Sequence, residues 1–230
     1  MRWAFATLVV TAMGCGSSHV EAAPSDHAPS IAVKAIEKDT LCVTKGDVKD
    51  GVAITDPTVR GYARGAGGDA ADLTFTYRGE SEKTRELASG EARRQLGLKL
   101  RAQDGCNVVY VMWRLDPLPK IDVSVKYNPG KRTHAECGAD GYTKVKPYKK
   151  SYIPAFEYGK THTLRAEIVH DDLFAWIDGK LLFQGRLPES ARSIQGPAGI
   201  RSDNVQLDIV ELAAPTKEGE LPACKHEVGD

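Results

Sequence analysis

Apolar and polar residues alternate with a period of two along much of this chain. RQLGLKLRA sets Leu96, Leu98 and Leu100 on one face and Gln95, Lys99 and Arg101 on the other, the pattern of a strand buried on one side. IDVSVKY does the same with Ile121, Val123, Val125 and Tyr127, and HTLRAEIV with Leu164, Ala166 and Ile168. Strands of this kind predict antiparallel sheets. In LFAWIDGKLLFQG two apolar runs meet at Asp178-Gly179, a pair that accepts the positive φ angles of a two-residue hairpin turn. CNVVYVMWR breaks the pattern, because Val108, Tyr110 and Met112 face one way while Val109, Val111 and Trp113 face the other. Such a strand is either central and buried twice, or it fills the core with the first set and leaves Trp113 on an open surface. SEKTRELASGEARR reads as a solvated helical turn or a charged hairpin, since Ser89-Gly90 interrupts it.

The ends differ from this body. MRWAFATLVVTAMGC carries one cation, Arg2, before an apolar run from Trp3 to Met13, too short to cross about 30 Å of hydrocarbon as a permanent helix. A removable signal peptide over residues 1–14 is predicted. Gly14-Cys15-Gly16 followed by two serines resembles the bacterial lipoprotein signal, in which the cysteine becomes the acylated first residue, although Ala12 stands where leucine is usual. An ordinary secretory signal cut near Ala22 or Ala23 is the alternative, and both imply export. Residues 15–35 read as a flexible tether, 36–212 as the folded domain and 213–230 as a polar tail.

Composition narrows the chemistry. With 31 Lys and Arg against 31 Asp and Glu the net charge is zero, which removes the bulk electrostatic reason to expect nucleic acid. His134, His162 and His170 are scattered, no C-x-x-C is present and the H-D-D at His170–Asp172 reads as a solvated turn, so neither a metal nor another cofactor is predicted. No G-x-S-x-G, P-loop or H-E-x-x-H occurs.

HTLRAEIVHDDLFAWIDGKLLFQG followed by GPAGIRSDNVQLDIVEL, His162 to Leu212, is similar to the C-terminal half of concanavalin A-like lectin/glucanase sandwiches, in particular their laminin G-like branch. The resemblance implies an all-β, two-sheet antiparallel jelly-roll sandwich. It leaves function open, because lectins, hydrolases and adhesion modules share that scaffold. QLDIVEL also resembles the E-[IL]-D-[IV]-[VM]-E strand of retaining glucanases, but Gln206 stands at the nucleophile position and an amide cannot form the glycosyl ester. The strand is expected to bury Val205, Leu207 and Ile209 and to expose Gln206 and Asp208; Asp208 and Glu211 would share a face only if a bulge separates them. The cysteines left after Cys15 are Cys42, Cys106, Cys137 and Cys224, an even number that suits an oxidising compartment. Three pairings are possible. If the terminal strands meet, as in most sandwiches, Cys42 pairs with Cys224 and Cys106 with Cys137, contributing roughly 5 and 4 kcal/mol in the chain-entropy model.

One stretch is compositionally unusual. From Lys120 to Lys160 there are nine Lys and Arg against four Asp and Glu, with Tyr127, Tyr142, Tyr148, Tyr152 and Tyr158 interleaved. Cations beside amphipathic aromatics suit an acidic glycan, a phosphate-bearing surface polymer or an anionic membrane; the alternative is a long loop of solvated lysines with its tyrosines packed on the sandwich edge. The candidate ligand residues are Trp113 as a flat platform, Arg114 beside it, and Lys131 and Arg132 on a loop that a Cys106–Cys137 bridge would hold nearby. The sequence therefore predicts an exported, lipid-anchored and non-catalytic envelope protein that binds a glycan or another surface partner and contacts the membrane through its anchor only. A sugar-acting hydrolase of the same superfamily and a structural subunit without a small ligand are the alternatives.

Overall fold

The computed structural model describes residues 1, 27–217, 219, 221, 223 and 224; the signal peptide, Cys15 and most of the tether lie outside them. Two seven-stranded sheets face each other, with every pairing antiparallel. The first runs in the order β1 (Lys34–Ala35), β14 (Val205–Ala214), β5 (Ala70–Glu80), β10 (Thr161–Val169), β11 (Asp172–Ile177) and β12 (Lys180–Arg186), with β3 (Ala53–Ile54) added onto β14. The second is β2 (Leu41–Lys45), β4 (Thr58–Ala63), β13 (Gly199–Asp203), β6 (Gln95–Leu100), β7 (Val108–Arg114), β8 (Lys120–Lys126) and β9 (Tyr142–Val145). This is the two-sheet antiparallel jelly-roll sandwich that the alternation and the resemblance implied. Asp178 and Gly179 join β11 to β12 with φ of 49° and 78°, the conformation that a two-residue hairpin demands.

The core is what alternation predicts for most strands. Leu96, Leu98 and Leu100 meet Phe75, Leu164, Leu173 and Leu207 between the sheets, all but fully buried. On β7 the parity is the reverse of a surface-facing Trp113. That residue pairs with Leu96 on one side and Ile121 on the other, so it shares their inward face and is 0% exposed. Its ring packs edge-on against Phe75, Phe156 and His162, and its Nε1 donates to the Pro154 carbonyl at 2.9 Å. The outward residues of β7 are Val108, Tyr110, Met112 and Arg114.

β14 buries Val205, Leu207 and Ile209 as expected. A bulge then adds Val210, shifting the register between Ile209 and Glu211, so that Asp208 lies opposite Thr76 and Glu211 opposite Thr74 on one face. That face is the outer side of the first sheet, where Asp208 is bound by Arg78 at 2.7 Å.

Two disulfides staple the sandwich, Cys42–Cys224 with Cα atoms 5.4 Å apart and Cys106–Cys137 at 5.9 Å. The first ties the tail to β2, the second ties the start of β7 to a single helical turn, α1 (His134–Cys137). Thr133 and Glu136 close a capping box at the head of that turn, a T-H-A-E signature visible in the sequence. Residues ahead of the expected start of the folded domain also contact the sandwich. The stretch from His27 to Ile31 lies across the outer face of the first sheet, where the Ser30 and Ile31 amides donate to the buried Glu167 carboxylate at 2.8 and 3.0 Å and His27 stacks on Phe174 at 3.9 Å. Polar tether composition hid this, because most of the anchoring groups are backbone ones, the Ser30 and Ile31 amides and the His27 and Ile31 carbonyls.

Candidate binding site

The outer face of the second sheet carries a cavity of about 350 Å³. Its floor follows from the pairing registers. Arg60 lies opposite Arg201, Arg201 opposite Gly97, Gly97 opposite Met112 and Met112 opposite Asp122, forming one row across five strands. The next row runs Lys99, Tyr110, Ser124 and Lys144. Gly97 has to be glycine, since a Cβ there would lie 2.1 Å from the Val111 carbonyl oxygen. The bare position keeps the floor flat between Arg201 and Met112.

Two loops form the walls. Residues 81–94, the segment anticipated as a helical turn or a hairpin, are an irregular loop containing a tight turn at 87–90. Asn204, in the left-handed conformation at φ 55° that Asn adopts more readily than most residues, clamps it. Its side chain accepts from the Arg85 amide at 2.7 Å and donates to the Arg85 and Arg93 carbonyls at 2.8 and 3.0 Å. The loop's far end is held by Arg94, which grips Asp116 through two nitrogens at 2.6 and 2.8 Å. The opposite wall is built from Gly105, His134 and Ala139, held by the Cys106–Cys137 bridge and by Asn128, which donates to the Cys106 and Asp140 carbonyls.

The cavity is strongly cationic. Lys45, Arg60, Arg85, Arg93, Lys99, Lys144 and Arg201 line it against only Glu86 and Asp122. Beneath the lining, Asp203 is shared by Arg60 at 2.6 Å, Arg201 at 2.9 Å and the Gln95 amide at 2.7 Å. Burial works against ionising Asp203, yet the Arg201 and Arg60 charges prevail and hold its carboxyl well below the usual range. Asp122 likewise stays ionised despite burial, through contacts of 2.6 Å to Lys144 and 2.9 Å to Arg114. One carboxylate under two guanidiniums and another among several cations leave the face with excess positive potential. Aromatic surface lies within it. Tyr110 and Tyr142 stack with ring centres 6.2 Å apart, Arg201 sits 4.8 Å over the Tyr110 ring and the Lys126 ammonium 5.3 Å from Tyr142, distances at which cations and ring faces attract.

The residues singled out from sequence fall on three different parts of the molecule. Trp113 is core, on the opposite side of β7 from the cavity, so it offers no platform to a ligand. Arg114 shares the sheet face with the cavity but is 5% exposed and committed to Asp122 and the Asp116 carbonyl. Lys131 and Arg132 have exposed side chains behind the wall, where their carbonyls bond Asn107 and Gly105. The cations that build the floor, Arg60, Lys99 and Arg201, were overlooked. Their only sequence signal is an Arg or Lys inside a strand with glycine near it, in VRGY, GLKL and AGIRSD.

Among the described residues no cluster of three or more metal-ligating side chains occurs, and no helix is long and apolar enough to cross a membrane. No family model and no curated protein matches the chain. Among solved structures it is similar to the carbohydrate-binding module CBM66 from Bacillus subtilis, at 12% identity and a TM-score of 0.48, over 77% of this chain and 94% of that one. A Crh5 transglycosylase in complex with NAG is similar at 13% identity and a TM-score of 0.44, over 81% and 84% of the two chains. The galectin LEC-6 of Caenorhabditis elegans is similar at 12% identity and a TM-score of 0.38, over 73% and 98%. It is the strand pairing described above, independent of these likenesses, that makes this chain a two-sheet antiparallel sandwich.

Proposed function

We propose that this protein is a non-catalytic binding module for an acidic glycan, seated in the cavity on the second sheet. The observation that carries the reading is the combination of seven Lys and Arg side chains, stacked Tyr110 and Tyr142, and a flat floor in one cavity of about 350 Å³. Guanidinium and ammonium groups recognise carboxylate, sulfate or phosphate substituents, tyrosine faces pack on the apolar face of a sugar ring, and Ser124 and Gln95 supply hydroxyl partners. Hydrolysis is disfavoured. Asp122, held ionised by Lys144 and Arg114, is a poor proton donor for a glycosidase. Glu86 is the one other acid lining the cavity, where a retaining mechanism needs two carboxyl groups about 5 Å apart, and Asp208 and Glu211 lie on the other sheet.

Titration with galacturonate, sulfated and neutral oligosaccharides tests this. Micromolar binding of acidic oligomers that weakens as salt rises, with no release of reducing ends, is expected. Equal binding of the neutral oligomers would remove the charge argument, and turnover would restore the hydrolase alternative. Lys144→Ala combined with Arg93→Gln should weaken binding at least tenfold, since each removes a cation from the rim.

We further propose that the module is exported and anchored through an acylated Cys15. The two disulfides support an oxidising compartment, and acyl chains contribute about 0.8 kcal/mol per buried methylene. Cys15→Ala should move the protein from the membrane fraction to the soluble exported fraction. An unchanged partition, or an intact mass without lipid, rejects the anchor.

A further inference from the structure

The segment that follows β9 continues the basic face around the flank of the sandwich. Between residues 142 and 156 there are four lysines, Lys144, Lys146, Lys149 and Lys150, and no Asp or Glu. Lys144 lies in the cavity. From there the chain leaves the edge of the second sheet and reaches the edge of the first, where the Tyr148 amide donates to the Gln184 carbonyl on β12 at 2.8 Å. It therefore spans the thickness of the sandwich, about 10 Å.

The segment is fixed at several points. Val145 pairs with Val123, the Tyr148 hydroxyl donates to Asp172 at 2.7 Å, Ile153 and Phe156 are buried in the core, and the Pro154 carbonyl accepts from Trp113. Between those fixed points the side chains face solvent, with Tyr148 59% and Tyr152 86% exposed. A chain pinned in place that displays aromatic rings and lysines has already lost the freedom that a flexible loop would surrender on binding. Isolated exposed lysines need no explanation; four of them with two rings, on a stretch that carries no acid of its own, meeting Asp172 only at the Tyr148 hydroxyl and continuous with a cationic cavity, form a track.

We infer that the ligand is a polymer, an acidic polysaccharide whose chain occupies the cavity and continues along Lys146, Tyr148, Lys149, Lys150 and Tyr152. This rests on the acidic-glycan reading of the cavity and adds a second zone to it. A chain engaged at both zones binds more tightly than either zone alone, because the second contact is made at high effective concentration. A membrane of anionic lipid is the competing partner for lysines and tyrosines. It is disfavoured here because the track turns around an edge and joins a cavity, whereas a lipid surface would engage a flat exposed face.

The experiment compares a galacturonate trisaccharide with a dodecasaccharide on the wild-type protein, on the flank variant Lys149→Ala/Lys150→Ala/Tyr152→Ala and on the cavity variant Lys144→Ala/Arg93→Gln, and measures all three proteins on vesicles containing phosphatidylglycerol. The wild type is expected to bind the longer oligomer roughly tenfold or more tightly than the shorter one. The flank variant should keep trisaccharide affinity and lose that gain, and the cavity variant should weaken both. Trisaccharide binding with no gain for the dodecasaccharide overturns the two-zone inference and leaves the cavity reading standing. Absence of binding at either length, in every protein, overturns both. Vesicle binding that the flank variant loses, without any length dependence on oligomers, assigns the flank to lipid and overturns the inference.

Discussion

Trp113→Ala is expected to lower stability by about 3–5 kcal/mol, the usual cost of emptying a buried aromatic site. The indole is 0% exposed and sits at the junction of Phe75, Phe156 and His162, so the lost volume lies between two sheets whose backbones are fixed by pairing and cannot close on it. Its Nε1 bond to Pro154 also fixes the 153–156 segment, and removing the ring leaves the Pro154 carbonyl without that donor. At about 2–4 °C per kcal/mol for a domain of this size, the melting temperature should fall by roughly 6–20 °C. Trp113→Phe should recover most of the packing while leaving affinity for an acidic trisaccharide unchanged, because the cavity lies on the other side of β7. A stability loss under about 1 kcal/mol for the alanine variant, or a loss of binding in the phenylalanine variant at unchanged stability, would place the indole at the surface instead.

The second large effect is expected at Asp203. Removing one partner of a buried ion pair leaves an uncompensated charge and costs about 3–5 kcal/mol. Here Asp203→Ala strips two guanidiniums, Arg60 and Arg201, and the Gln95 amide of their shared acceptor. The same residue sets an acid dependence whose sign is fixed. Its carboxyl titrates lower in the folded protein than in the unfolded chain, so its contribution is fully present above the unfolded value of about 3.9 and is lost as pH falls through the folded value. Thermal melts from pH 7 down to pH 2 should show a steep decline for the wild type below pH 4 and a flatter one for Asp203→Ala. Parallel curves for the two proteins would mean that Asp203 carries no such linkage. If ligand charge is read mainly by Arg201, binding should also weaken, because Asp203 holds that guanidinium over the Tyr110 ring.

These residues show how far the linear pattern reaches. Leu96, Leu98, Leu100, Ile121, Val123 and Val125 were readable as core because each alternates with polar neighbours, and a period of two assigns a face without any knowledge of the partner strand. The Asp178-Gly179 turn was readable because positive φ is a property of those two residues. The basic, tyrosine-rich flank was readable from composition alone. In the same way the even cysteine count pointed to two disulfides, and the assumption that the chain ends meet led to their pairing. On β7 the pattern runs out, because both faces are apolar and the sequence within Val108–Arg114 is equally consistent with either parity. The decision comes from β6, whose register sets Trp113 opposite Leu96, a hydrogen-bonding fact between segments that local sequence does not encode. The cavity is invisible for the same reason. Arg60, Lys99, Tyr110, Lys144 and Arg201 come from five strands spread over more than half the chain, and each alone is an ordinary outward-facing residue; only the order β4, β13, β6, β7, β8, β9 sets them side by side, and the walls that make that face a cavity depend on contacts distant in sequence, Asn204 with the 81–94 loop among them. Alternation, turn chemistry and composition are local and act within a few residues, so the sequence by itself determined the layers and the charge of the flank, whereas the cationic floor arises from long-range pairing and was decided by the tertiary structure.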